Sequence, residues 1–362
     1  MLNSIDERLK KLKSEMEKLS VDAYLCVNIE NSNHPEAFYF SGFSGSFSIL
    51  IIDKDRKLIL TDSRYYEQVK LETQFTLVKF EGKESGEKKL FEILGDYKRI
   101  GLNFSRINLK FYENLKKNLK GAEFVDFDEI ISKLRMIKYG DEIEKIKNAI
   151  QITQRAFENS LNFLKAGMTE NEFAARLEYE MKLLGAERTA FETIVASGFR
   201  GALPHGRASD KIIEEGDLVV IDFGAVYKGY CGDITRTVAV GDIDDEKYEV
   251  YKTVERAQRE AIKKMRAGMT GKEIDKIARD IINNAGYGSN FGHSLGHGIG
   301  IEVHEAPSVS PSNDTTLPSG VVVTVEPGIY LPGKFGVRIE DNVILTENGA
   351  VLLSKPNELI KV

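Results

Sequence analysis

The chain has 362 residues, a formal net charge of −6 and two cysteines, Cys26 and Cys231. The length predicts two domains, the acidic balance argues against nucleic-acid binding, and the two cysteines exclude a disulfide-stapled scaffold. No apolar stretch approaches the ~18 residues of a membrane span, and the charged N-terminus lacks the apolar core of a signal peptide. We therefore expect a cytoplasmic protein that does not contact a membrane.

The N-terminal part of the chain predicts an α/β domain. Amphipathic patterns predict helices at residues 5–19 and 109–119. Runs rich in β-branched and aromatic residues predict strands at 22–29, 47–53, 57–61, 75–80 and 99–102. We place the domain boundary after residue 128, which assigns residues 1–128 to this domain and residues 129–362 to a second, catalytic domain.

An internal repeat organises the second domain. Residues 166–169 (AGMT) recur as residues 267–270, and a glutamate stands three residues after each copy, Glu172 and Glu273. This spacing is the capping-box pattern of a helix N-terminus. A strand-like segment after each predicted helix also matches its counterpart. We therefore predict two related halves, each a helix plus a hairpin, packed about a pseudo-twofold axis.

The first predicted hairpin brings two aspartates together. A valine-rich strand ends near Asp222, and a return strand begins at Tyr230. A hairpin centred between Tyr227 and Lys228 pairs Asp222 with Asp233. Directly opposed residues share one face of a sheet, with Cβ atoms about 5 Å apart. Like charges so placed are destabilising unless a cation lies between them.

The second predicted hairpin repeats this arrangement with two glutamates. One strand ends at Glu326, another begins at Val337, and Pro332 and Gly333 between them are a strong turn signal. A hairpin centred on Gly333 sets Glu326 opposite Glu340. A lone acidic residue in a strand is usually solvated or caps a turn, but two opposed pairs in matching places favour a common function.

A histidine completes the predicted set. The glycine-rich segment 290–300 argues against a helix, and in an extended chain His293, His297 and Ile301 share a face. Most histidines of the chain fall in this site region: His205, His293, His297 and His304. Four carboxylates and one imidazole suit hard divalent metals, Mn²⁺ or Co²⁺ first, with Zn²⁺ or Fe²⁺ compatible. Two such ions about 3.5–4 Å apart activate water, which predicts hydrolysis.

These segments resemble the metallopeptidases of the pita-bread fold, a group that includes methionine aminopeptidases, Xaa-Pro aminopeptidases, prolidases and creatinases. The matching motifs are 220–224 (VIDFG), 233–237 (DITRT), 296–300 (GHGIG), 324–328 (TVEPG) and 337–341 (VRIED). Residues 203–206 and 302–307 resemble the proline-specific branch, and residues 40–46 and 61–66 resemble its N-terminal domain. The resemblance covers essentially the whole chain. It implies an α/β N-terminal domain followed by an α+β pita-bread catalytic domain.

The resemblance implies a dinuclear metal site. Asp222 and Asp233 would chelate one ion, His297 and Glu326 would bind the second, and Asp233 and Glu340 would bridge the two. A metal-bridging hydroxide would then attack the scissile carbonyl.

Further roles follow from the same resemblance. His205 and His304 would stabilise the intermediate and bind substrate, and His293 would line the substrate pocket. Arg338 would support the site, and Glu326 could accept a proton. The branch is commonly dimeric, so we also expect a homodimer.

The resemblance leaves the exact specificity open. Methionine aminopeptidases usually lack an N-terminal domain of this size, and creatinase-like members lack the metal ligands that are intact here. Xaa-Pro aminopeptidase and prolidase remain, and both cleave before proline. We favour an aminopeptidase that removes the residue before a penultimate proline from short peptides, with prolidase, an Xaa-Pro dipeptidase, as the alternative.

Overall fold

The computed structural model describes residues 4–355 and 358–362. The chain divides into two compact units, Met1–Leu134 and Arg135–Val362. The division lies a few residues beyond the boundary that we place after residue 128, and it falls within a helix that runs from Asp128 to Met136.

The first unit is an α/β domain. Its helices are α1 (Ser4–Lys18), α2 (His34–Ser41), α3 (Tyr66–Glu72), α4 (Lys83–Leu94), α5 (Leu109–Asn118) and α6 (Asp128–Met136), whose last residues belong to the second unit. Its strands are β1 (Ala23–Ile29), β2 (Phe47–Asp53), β3 (Lys57–Thr61), β4 (Thr76–Lys79), β5 (Arg99–Leu102) and β6 (Glu123–Asp126).

These strands form one mixed sheet in the order β4-β3-β2-β1-β5-β6. The predicted strands are present within a residue or so of their expected bounds. Strand β6 was not predicted, because it is a four-residue edge strand whose end residues are exposed and whose sequence carries little hydrophobic pattern. Apolar residues of the central strands, such as Leu25, Ile51 and Ile100, form the buried core of this unit.

The second unit is built from helix pairs packed on sheets. Its helices are α7 (Gly140–Leu161), α8 (Glu170–Leu183), α9 (Asp245–Lys264) and α10 (Gly271–Asn284), with short 3-10 helices at Gly198–Ala202 and Gly288–Asn290. Its strands are β7 (Arg188–Thr189), β8 (Ile194–Ser197), β9 (Leu218–Phe223), β10 (Ala225–Tyr227), β11 (Tyr230–Cys231), β12 (Ile234–Ala239), β13 (Gly296–Gly298), β14 (Glu305–Val309), β15 (Val322–Val325), β16 (Gly328–Leu331), β17 (Phe335–Arg338), β18 (Asp341–Thr346), β19 (Gly349–Leu352) and β20 (Ile360–Lys361).

The internal repeat is visible in this unit. Thr169 and Glu172 form a capping box at the start of α8, and Thr270 and Glu273 form the same box at the start of α10. Strands β9 and β12 are neighbours in one sheet, with the order β20-β12-β9-β8, and β15 and β18 are neighbours in another, with the order β14-β13-β15-β18-β19. Among the described residues, no helix combines the length and apolar character needed to cross a membrane.

The register of the first hairpin differs from the prediction. Asp222 pairs with Thr235, not with Asp233, because the turn is centred one residue later, between Lys228 and Gly229. Both turn residues have positive φ, 46° and 77°, as in the tight turns that match the twist of a hairpin. One residue at the centre moves the pairing by two residues, so Asp233 keeps the predicted face but lies diagonally from Asp222.

The second hairpin has the predicted register, but its two strands are interrupted instead of running continuously. Val325 pairs with Asp341 and Gly328 pairs with Arg338, which is the register of a hairpin centred on Gly333. Glu326 and Glu340 lie between these two ladders, where the strands are interrupted. Their side chains are therefore placed where the sheet opens rather than within a regular ladder.

Candidate metal centre

The predicted ligands converge on one point of the second unit. Ligand atoms of Asp233, His297 and Glu340 all lie within 4.8 Å of one another. Nε2 of His297 is 3.3 Å from Oε1 of Glu326 and 3.7 Å from Oδ2 of Asp233. Asp222 lines the same cavity as these four residues. The two hairpins and the short strand β13 thus bring together residues that are more than one hundred positions apart in the chain.

Threonines two residues from the acidic groups orient the carboxylates. Thr235 Oγ1 donates to Glu340 Oε2 at 2.8 Å. Thr324 Oγ1 donates to Glu326 Oε1 at 3.4 Å and accepts the backbone N–H of His297 at 3.0 Å. A separation of two residues puts a side chain on the same face of a strand. This alternation could have identified Thr235 beside Asp233 from the sequence.

Three buried carboxylate oxygens in the site have no hydrogen-bond partner among the described residues: Asp222 Oδ1, Asp233 Oδ1 and Glu340 Oε1. A buried polar atom without a partner is costly, and such atoms are rare in folded proteins. Hard divalent cations prefer oxygen ligands of this kind. The donor set therefore fits divalent metal ions.

The electrostatics of the cluster agree with this fit. Burial raises the pKa of Asp233 well above the ordinary range, and repulsion from Asp222 raises it further. Burial likewise raises the pKa of Glu340, and Asp233 adds to the shift. Two neighbouring buried carboxylates resist joint ionisation, because burial removes their hydration and their like charges repel, unless positive charge lies between them. Divalent ions would supply that charge.

His297 and Glu326 form a complementary pair within the cluster. Burial alone would lower the pKa of His297, but its hydrogen bond and attraction to Glu326 raise that pKa to about 9. Burial acts to raise the pKa of Glu326, yet the neighbouring imidazole lowers it below the ordinary value. The imidazole thus occupies the position of a cation between acidic groups.

Family comparison identifies the chain. The model of metallopeptidase family M24 matches residues 144–347, and that of the creatinase/prolidase N-terminal domain matches residues 8–137. The chain belongs to metallopeptidase family M24. As a member of that family it has the pita-bread fold and is a metallopeptidase that uses divalent metal ions.

Relatives within family M24 match along nearly their whole length. A Xaa-Pro dipeptidase of Pyrococcus furiosus is 44% identical over 352 residues, which is 96% of this chain and 98% of that protein. The structure of an X-Pro aminopeptidase from Thermotoga maritima has a TM-score of 0.91 and 49% identity, covering 96% of this chain and all of the other. The prolidase from Pyrococcus horikoshii has a TM-score of 0.92 and 42% identity, covering 98% and 100%.

A hydrogen-bond network on one side of the candidate metal centre links Arg338 to its neighbours. The buried Arg338 donates to Asp222 Oδ2 at 2.6 Å, to Tyr330 OH at 2.9 Å and to the backbone oxygen of Pro204 at 2.9 Å. Tyr330 OH also lies 2.9 Å from Nε2 of His293. Tyr330 was not among the predicted site residues, although it stands four positions after Glu326, a spacing that could have suggested it.

The remaining predicted residues line a cavity of about 590 Å³ above the carboxylates. Its wall includes His205, His293 and His304, together with apolar groups such as Phe191 and Ile194. The rings of His297 and His304 have centroids 4.2 Å apart, and burial lowers the pKa of His304, with repulsion from His297 adding to the shift. The volume is in the range typical of small-ligand pockets.

A larger open cavity of about 820 Å³ lies along α9. Its described lining consists mainly of side chains from one helix, without a histidine. The smaller cavity, which joins the carboxylates, the imidazoles and an apolar wall, is therefore the candidate active site.

Proposed function

We propose that this M24 metallopeptidase is a Xaa-Pro dipeptidase (prolidase), which hydrolyses the bond before proline in dipeptides. The observation that carries the proposal is the end-to-end similarity to proteins named Xaa-Pro dipeptidase and prolidase, combined with an acidic cluster at the base of a small cavity. The sequence favours an aminopeptidase, but these relatives support its alternative, the dipeptidase, better.

The proposed site uses two divalent ions. Asp222, Asp233, His297, Glu326 and Glu340 would hold them, with Mn²⁺ or Co²⁺ as the expected metals. When bound, such ions activate water and polarise the scissile carbonyl.

The residues of the chain itself would do the rest. His304, whose lowered pKa favours the neutral imidazole near pH 7, would hydrogen-bond the reacting carbonyl from the cavity wall. Glu326, which remains ionised beside His297, would accept a proton during attack. Phe191 and Ile194 would pack against the proline ring, which is apolar and has no N–H to satisfy.

A Xaa-Pro aminopeptidase is the second candidate. The specific observation in its favour is the 49% identity to the X-Pro aminopeptidase of Thermotoga maritima. The two candidates differ in what may follow the proline. A dipeptidase binds a substrate in which the proline carries the free C-terminal carboxylate, whereas an aminopeptidase accepts a further peptide bond in place of that carboxylate.

Paired substrates separate the two activities. We expect the metal-loaded enzyme to cleave Ala-Pro much faster than Ala-Pro-Ala, with Ala-Ala as the control for the need for proline. Faster cleavage of the tripeptide, with release of Pro-Ala, would instead establish the aminopeptidase. Equal turnover of Ala-Ala and Ala-Pro would exclude both proline-specific functions.

We further propose that the enzyme is a cytoplasmic homodimer acting on short peptides. The support is the similarity to a branch of the family that is commonly dimeric. Light scattering of the purified protein measures its mass. A monomeric mass would contradict the homodimer proposal without changing the assignment of the site.

A further inference from the structure

The segment 197–209 carries His205 to the rim of the cavity. It leaves β8 at Ser197, turns through the 3-10 helix Gly198–Ala202, and returns to bridge Ile194 at Arg207. His205 itself is exposed, and its imidazole forms no side-chain hydrogen bond within the described part of the chain. The position of its imidazole therefore depends on how the two ends of the segment are held.

Both ends are held by one buried carboxylate, that of Glu170 at the start of α8. At the first end, Oε1 of Glu170 accepts the backbone N–H of Ser197 at 2.8 Å and its hydroxyl at 2.9 Å. At the other end, Oε2 accepts the backbone N–H of Ser209 at 3.1 Å and its hydroxyl at 2.6 Å. Arg200, inside the segment, donates to the same oxygen at 3.0 Å.

This clamp satisfies Glu170 completely. Its side chain is fully buried, yet both oxygens accept hydrogen bonds, and Arg200 supplies a charge partner. Hydrogen bonds to a charged acceptor are roughly twice as strong as neutral ones. A single side chain therefore closes a segment of more than ten residues by its two ends.

The segment also contacts the strand that carries Arg338. Arg338 donates to the backbone oxygen of Pro204, and a Cβ placed on Gly336 would lie 1.9 Å from the backbone oxygen of Gly201. The strand that carries Arg338 thus touches the segment directly. Unlike Arg338, Glu170 is not among the described residues that line the cavity, and its side-chain hydrogen bonds go to Ser197, Arg200 and Ser209.

The internal repeat shows that the fold does not require an acid at this position. Glu170 follows Thr169 at the start of α8, and the corresponding residue after Thr270 in α10 is Gly271. A Cβ at Gly271 would lie 2.5 Å from the backbone oxygen of Ser308, so the second half leaves no room for a side chain there. The carboxylate belongs only to the half that carries His205.

We propose that Glu170 is a positioning residue for His205, which it serves by clamping both ends of segment 197–209. The inference rests on the proposed peptidase function and on the role that the family resemblance implies for His205, which is to bind substrate and stabilise the intermediate. Glu170 does not touch the substrate. Its removal would let the segment move, and a displacement of about 1 Å in a positioned group can cost about 10²-fold in rate.

The test is a double-mutant cycle on the metal-loaded enzyme, using whichever Xaa-Pro peptide it cleaves. We expect Glu170→Gln to lower kcat/KM by about 10–10²-fold while metal content stays unchanged. Glu172→Gln, an exposed capping-box residue two positions along the same helix, is the matched control and should change kcat/KM by less than about twofold.

The same substitution in a His205→Ala background decides the mechanism. If Glu170 acts through His205, Glu170→Gln should then cost less than about twofold, since the group that it positions is gone. An equal loss in both backgrounds would overturn the proposal, because it would show a general effect on the fold. A His205→Ala enzyme with full activity would also overturn it, while leaving the peptidase function intact.

Hydrogen exchange supplies a measurement that needs no substrate. Glu170→Gln should accelerate amide exchange in residues 198–208 and leave α9 unchanged, and Ser209→Ala, which removes one hydroxyl donor, should do so to a smaller extent. Unchanged amide exchange rates in residues 198–208 would overturn the proposal that Glu170 holds this segment. A protein that cleaves no Xaa-Pro peptide would refute the proposed function, and exchange would still decide whether Glu170 holds the segment.

Discussion

Arg338 donates a 2.6 Å hydrogen bond from Nη2 to Oδ2 of Asp222, deep inside the second unit. The contact occupies one oxygen of the aspartate, and the other, Oδ1, has no hydrogen-bond partner among the described residues, so it would be available to a metal ion. The same guanidinium reaches Tyr330 and Pro204. One arginine therefore orients a proposed metal ligand and supports the wall of the candidate substrate cavity at the same time.

Because the guanidinium of Arg338 donates to three groups at once, its replacement by lysine should have a measurable effect. Arg338→Lys keeps the positive charge but cannot contact Asp222, Tyr330 and Pro204 together, since lysine is a point donor. We expect metal affinity to fall about 10–100-fold and kcat/KM to fall with it. Metal titration by calorimetry measures the first effect, and Arg256→Lys on the exposed face of α9 is the control. Unaltered metal affinity would contradict the orienting role.

Removing one carboxylate should separate metal binding from stability. Asp233→Asn replaces a buried carboxyl group whose ionisation is opposed by burial and by Asp222, so we expect the metal-free variant to unfold at the same or a higher temperature than the metal-free wild type. The wild type should gain stability when Mn²⁺ is added, and the variant should gain little. Calorimetric scans with chelator and with Mn²⁺ measure both, and equal stabilisation of the two proteins by Mn²⁺ would exclude Asp233 as a ligand.

His304 should act on catalysis and not on metal content. Its ring lies beside that of His297 but is not among the clustered ligand atoms. We expect His304→Ala to lower kcat by about 10²–10³-fold, which is typical of a lost catalytic donor, with metal stoichiometry retained. Elemental analysis of the purified variant is the check. A joint loss of metal and activity would make His304 a ligand or a structural support.

A buried ion cluster near the site predicts a pH dependence of stability. Burial opposes ionisation of Glu305, but attraction to Arg135 and Lys138 lowers its pKa to about 2, below an unfolded value near 4.5. A lowered pKa stabilises the folded state above the unfolded pKa, and this stabilisation is lost as the pH falls from about 4.5 towards 2.

Glu305→Gln tests this dependence. The variant removes the carboxylate partner of the buried Lys138 and leaves Arg135 with its ion pair to Glu302 alone, so we expect a loss of about 3–5 kcal/mol at pH 7. The difference from wild type should shrink as the pH falls through this window, because the wild type then loses the same charge. Urea unfolding at pH 7 and pH 3 measures it, with the exposed Glu347→Gln as the control. A difference that does not depend on pH would contradict the shifted pKa.

Sequence patterns could predict much of the site because they depend on local rules. Alternation along strands placed Asp222 and Asp233 on one face, and this face survived a two-residue error in register because the side-chain period of a strand is two. The turn at Pro332 and Gly333 predicted the second register directly. The helix starts at Thr169 and Thr270 followed from capping-box spacing, a contact within four residues.

Features that depend on contacts between distant segments were decided only by the tertiary structure. The exact centre of the first turn rests on a positive φ at Lys228, which sequence propensity favours only weakly for lysine. The interruptions beside Asp233 and Glu340 open the sheet where the carboxylates meet. The clamp of Glu170 on Ser197 and Ser209 joins segments 27 and 39 positions away. Local patterns therefore predicted the candidate site residues, whereas the distances between these residues, their burial and the groups that hold them in place arise from long-range packing.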